Sequence, residues 1–166
     1  PASAAAAEAR FRLAHLLQTV QNDEDAALKE YMSRARSRRR TVWRDRALFE
    51  AAEIHLRRNE IDRAVAACRA VSSRAHDEAA SDEANFRAAE YHFLGGQFQD
   101  ARSTLDRALA GSAKRFFLND VLELSLLVEA GEKEDPAVLQ AFANARKLTR
   151  QGQSGAALEA FTLFLS

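Results

Sequence analysis

Proline is almost missing from this chain: there are two in 166 residues. A proline inside a helix removes a hydrogen bond and clashes with the preceding turn, so its scarcity leaves long stretches free to be helical. Glycine is sparse too, at six, and β-branched residues are few, whereas alanine and other strong helix formers dominate. The composition points to an all-α chain. A single cysteine, Cys68, excludes an internal disulfide and a cysteine-based zinc site, and leaves the redox compartment open. Net charge is also lacking. Lys+Arg and Asp+Glu number 24 each, a poor start for a dedicated nucleic-acid binder. No apolar run approaches the length needed to cross a membrane. The opening PASAAAAEAR has no basic segment leading into an apolar one, so it does not read as a signal peptide. With no initiator Met, and with a helix-like FTLFLS at the other end, the chain reads as an excised fragment. Both a cytoplasmic and an exported, cell-envelope location stay open.

What is present is a repeat, and the length suits one compact domain or one short array. Asn22, Asn59 and Gly96 follow one another at intervals of 37 residues. The same interval relates Ala14, Ala51 and Ala88, then Leu17, Ile54 and Tyr91, then Ala27, Ala64 and Ala101. Each unit reads as two helices, A and B, with Asn or Gly between them. These residues best tolerate the left-handed conformation that ends a helix sharply. The alanines mark places where two helices cross closely, because a larger side chain would overpack the crossing.

Gly96-x-Phe98-x-x-Ala101-x-x-x-Leu105-x-x-Ala108-Leu109 resembles the second half of a tetratricopeptide repeat (TPR). Arg57–Val71 resembles it through Asn59, Ile61, Ala64, Cys68 and Val71, and Asn22–Ala35 through Ala27 and Tyr31. Arg150–Phe161 offers a fourth copy through Gly152, Ala157 and Phe161. The period exceeds the usual ~34 residues of the family, and the fourth copy lies 19 residues out of step. Those residues fall around Lys114–Gly131, apolar nearly all round, which predicts a buried extra helix ending at Gly131. Asp135-Pro136 then supplies an N-cap and a first-turn proline. Asn119–Leu124 is similar to stretches of large bacterial TPR proteins, some of them exported. The resemblance implies a right-handed α-solenoid of stacked helical hairpins. It would have about four repeats plus one extra helix in a single domain over 1–166. The repeats would span approximately 5–38, 42–75, 79–112 and 136–166, with the extra helix at 114–130.

Candidate chemistry is thin. Gly95-Gly96-Gln97 matches the tripeptide at the catalytic loop tip of peptide chain release factors. Here it falls at the A-to-B turn, where a short hairpin offers no protruding loop. His55 and His92 are one period apart but lack the further ligands of a metal site, so they read as structural. His15 and His76 have no repeat partners. Asp23-Glu24-Asp25 reads as acidic charge at a helix N-terminus. No catalytic constellation or phosphate loop emerges, and no cofactor or metal is expected. Arg34–Arg46 is the strongest basic run and gives an alternative reading, a nucleic-acid-associated or regulatory module. Trp43 within it reads as a packing anchor rather than a stacking platform.

The main functional expectation concerns helix A. Phe49 and Phe86, and Glu53 and Glu90, each repeat at 37, with Arg12 and Leu16 at the equivalent places in the first unit and Arg57 and Phe93 a turn further on. By resemblance, Arg12, Phe49, Glu53, Arg57, Phe86, Glu90 and Phe93 face a concave groove that binds a peptide or protein partner with apolar and basic side chains. The competing reading is that the two phenylalanines pack between neighbouring repeats. The Lys/Asn pairing by which some family members clamp a C-terminal carboxylate is absent.

Overall fold

The computed structural model describes residues 4–35, 39–110 and 116–163. Among these there are nine α-helices and no strand. In chain order they are α1 (Ala4–Thr19), α2 (Glu24–Ala35), α3 (Val42–Arg57), α4 (Ile61–Ser72), α5 (Glu78–Leu94), α6 (Phe98–Leu109), α7 (Leu118–Glu134), α8 (Pro136–Arg150) and α9 (Ser154–Thr162). Each packs on the next, and α1 also meets α3, α3 meets α5, and α5 meets both α7 and α8.

Four tight turns make four helical pairs. Asn22, Asn59, Gly96 and Gly152 are the described residues with positive φ, at 53°, 58°, 72° and 74°. In three of these turns the next residue's amide donates back five positions: Glu60 to the His55 carbonyl, Gln97 to His92 and Gln153 to Leu148, at 2.8, 2.9 and 3.0 Å. Carbonyls that the helix end would orphan are thereby satisfied. Helix starts are fixed by side chains. Thr41, Asp77 and Asp135 accept from the first-turn amides of α3, α5 and α8, and Pro136 occupies the first turn of α8.

The alanine columns lie at the crossings: Ala14, Ala27, Ala51, Ala64 and Ala101 are fully buried and Ala88 nearly so. Helix α3 joins two apolar clusters. Its Ala47, Ala51 and Ile54 face Ala14, Ala27 and Tyr31 of the first pair, while Leu48, Ala52 and Leu56 face the larger core that runs on through α4–α8.

The extra helix departs from expectation in two ways. It runs on to Glu134 rather than stopping at Gly131. The glycine serves close approach instead, since a Cβ there would lie 2.6 Å from Leu139 Cδ1 of α8. Nor is the helix buried all round. Val121, Leu124 and Val128 are buried, but Leu122 and Leu126 are 42% and 67% exposed. Residues 114 and 115 of the expected segment lie outside the described residues. One helix packed along one side can bury only one stripe, whatever its composition.

Candidate functional site

The side of the molecule bearing α1, α3 and α5 divides into two halves. The first is closed by α8. Glu53, on α3, accepts from Arg150 at 2.6 Å, from the Tyr91 hydroxyl at 2.8 Å and from Arg87 at 3.1 Å. Glu90, on α5, accepts from Arg150 at 3.1 Å and Arg146 at 3.4 Å. The Gln151 side-chain amide donates to the Leu56 carbonyl at 3.1 Å. Apolar contact runs alongside: Phe142 of α8 packs on Phe93, and Arg146 lies over both rings. Gln140 sits against the Gly96 turn, where a Cβ would lie 2.6 Å from its side-chain oxygen. Burial pushes the Tyr91 hydroxyl pKa up, helped by the thiol of Cys68 and the carboxylate of Glu53, so the tyrosine remains a donor.

The other half is open. A cleft of about 800 Å³ lies among α1, α3, α5 and the residues that lead into α7. Phe11, Phe49, Phe116 and Phe117 supply aromatic walls, and Asp45, Glu50, Asp77 and Glu83 supply carboxylates. Several of these are already engaged. Asp45 is 1% exposed and accepts from Arg44, from the His76 amide and from His76 Nδ1. Asp77 pairs with His76, and Glu83 with Arg87. Glu50 has no ion-pair partner among the described residues. Arg87 shows what this wall can hold: its guanidinium lies 4.7 Å from the centroid of Phe49 while bonded to Glu53 and Glu83.

The expected groove residues are thus dispersed. Glu53 and Glu90 share the cationic grip of α8. Phe93 is fully buried beneath α8 and Phe49 is 8% exposed under Arg87, so neither is the exposed aromatic that the repeat suggested. Phe86 is half-buried and stacked on Phe117. Arg57 bonds Glu24 across the first two pairs, and Arg12 pairs with Glu8 on its own helix. Sequence reasoning missed Arg146 and Arg150, which obey no 37-residue column. Glu50 was read only as a carboxylate that offsets part of the Arg34–Arg46 run, although Leu13, Glu50 and Arg87 do share such a column.

His55 and His92 are occupied alike. Each Nδ1 faces the residue five positions on, Glu60 at 2.5 Å and Gln97 at 2.7 Å, tying the end of helix A to the start of helix B. The His55 contact holds the Glu60 carboxyl below the usual carboxylate range, with Arg63 adding to it. The basic run is partly consumed by the fold. Arg44 is 6% exposed and donates to the Ala70 and Arg74 carbonyls at the end of α4, and Arg46 lies over Trp43. Residues 36–38 of that run lie outside the described residues.

No protein-family model matches the chain, and neither a curated protein nor a solved structure does.

Proposed function

We propose that this chain is a segment of a right-handed α-solenoid of TPR-like hairpins, about four repeats with α7 as the added helix. Its role is non-catalytic: it is a scaffold that takes a peptide or partner protein on the α1–α3–α5 side. The recurring left-handed turns, the buried alanine columns and the contacts of α1 with α3 and of α3 with α5 support the architectural part. The observation that carries the functional part is the open cleft, with aromatic walls beside Glu50, which has no ion-pair partner among the described residues. A segment with an aromatic or aliphatic side chain next to an arginine or lysine suits it, because the rings anchor and the carboxylate selects charge. The seating of Arg87 on Phe49 between Glu53 and Glu83 is an internal example of the same chemistry.

Fluorescence anisotropy with matched Phe/Arg and Phe/Glu peptides tests this. Phe/Arg peptides should bind, and Glu50→Lys should weaken them by about 1–2 kcal/mol while favouring the Phe/Glu set. Capture of both sets with release by salt alone would instead favour the basic-run reading. That alternative gains nothing from Arg44, which is buried.

A further inference from the structure

A second cleft lies on a different part of the surface, between α4 and α6 over the middle of α5. It is small, about 240 Å³, and is lined by Arg69, Ser72, Asn85, Thr104 and Arg107, with Ala88 and Ala108 as its apolar part. No carboxylate lines it. Asp106, next to Arg107 in sequence, and Glu83, two positions before Asn85, are not part of its wall.

Two features describe these guanidiniums. First, both are exposed, and neither has an ion-pair partner among the described residues; Arg10, Arg34 and Arg46 have none there either. Second, each is held by a buried side chain. Arg69 approaches His92 Nε2 at 3.4 Å, and His92 is 5% exposed. An arginine only donates, so His92 accepts at Nε2 and carries its hydrogen on Nδ1, towards the Gln97 oxygen at 2.7 Å. Gln97 in turn donates to Asp62. Arg107 donates to the Thr104 hydroxyl at 3.1 Å and to the Ser103 carbonyl at 3.2 Å, and Thr104 is 7% exposed. Each guanidinium has five N–H donors and spends one or two on these anchors. The rest remain for a ligand, together with the Ser72 hydroxyl and the Asn85 amide.

We infer that this cleft binds a tetrahedral oxyanion: a phosphate group, free or carried as a monoester on a side chain of a partner. Two fork-shaped donors converging on one small cavity match the oxygens of phosphate, and the hydroxyl and amide can complete its shell. The volume suits the anion and its linking atom rather than a nucleotide. The inference does not depend on the peptide cleft and would stand if that reading failed.

Titration of the ¹⁵N-labelled chain with sodium phosphate, against sodium chloride at equal ionic strength, tests it. Saturable shifts confined to Arg69, Ser72, Asn85, Thr104 and Arg107 are expected. Arg69→Gln and Arg107→Gln should each weaken binding by about tenfold, while Arg10→Gln, an exposed arginine elsewhere, should leave it unchanged. Should Arg69→Gln disturb the His92 anchor and the fold, Arg107→Gln still decides the matter. Shifts that never saturate, or an affinity unchanged in Arg107→Gln, would overturn the assignment. In a second arm, a neutral phosphoserine peptide is compared with inorganic phosphate. Tighter peptide binding identifies a phosphorylated partner, and equal binding identifies the free anion.

Discussion

The two halves of the α1–α3–α5 side are built from repeated positions of one register, yet one is filled and the other is open. On α3 and α5, Glu53 and Glu90 are bridged by Arg150, and Phe93 is roofed by Phe142 and Arg146. On α1 and α3, Leu13 and Leu16 are 49% and 55% exposed, and Glu50 has no ion-pair partner among the described residues. The difference lies in what covers each half. Helix α8 departs from the 37-residue period and lies over the filled half. It presents Phe142, Arg146 and Arg150 at four-residue spacing, which places them on one face of a helix. The chain supplies to one half the aromatic and basic side chains that, under the proposed function, the other half would take from a partner.

The comparison can be broken first by charge reversal. Glu90→Lys would set a cation against Arg146 and Arg150 in a mostly buried position. It should cost about 3 kcal/mol in urea unfolding, with loss of hydrogen-exchange protection in α8. A second effect should not distinguish one hairpin from the next. Ala64 and Ala101 are fully buried crossings in the α3–α4 and α5–α6 hairpins, so Ala64→Leu and Ala101→Leu should each cost about 2 kcal/mol by overpacking. Unequal costs would mean that the two hairpins are not built alike.

Alkali should sharpen the contrast. Burial pushes the Cys68 thiol up to about 12, from an ordinary value of about 8.5. The folded state keeps this proton where the unfolded state releases it, so stability is fully present below about pH 8.5 and falls as pH rises towards 12. The slope is about 1.4 kcal/mol per pH unit for one group. Burial raises Tyr91 and Tyr31 as well, so both add the same sign above about pH 10. Cys68 and Tyr91 belong to the larger cluster and Tyr31 to the smaller, so exchange should quicken first in α4 and α5. The smallest effect belongs to the open half: Glu50→Lys should change stability by less than about 0.5 kcal/mol while altering peptide choice.

Much of the helical pairing was legible because its causes are local. Asn22, Asn59, Gly96 and Gly152 stand where the backbone turns left-handed, and Asp135-Pro136 stands where α8 begins. The buried alanines followed from spacing alone. The groove was less legible. Burial of Phe93 and the engagement of Glu53 depend on a helix some 50 to 100 residues further along, and no short-range pattern encodes that contact. The extra helix was misread for a related reason. Its composition is apolar on most sides, but only neighbours decide which sides are covered, and Leu126 has too few of them.

The closure of one half rests most directly on the contact between Glu53 and Arg150, which are 97 positions apart. A double-mutant cycle reads it: Glu53→Arg, Arg150→Glu and the pair together, each measured by urea unfolding. The swapped pair should recover at least about 1 kcal/mol of the summed losses of the single variants, because the opposite charges meet again. Losses that simply add would place α8 away from Glu53 and contradict the division of this face into a filled and an open half.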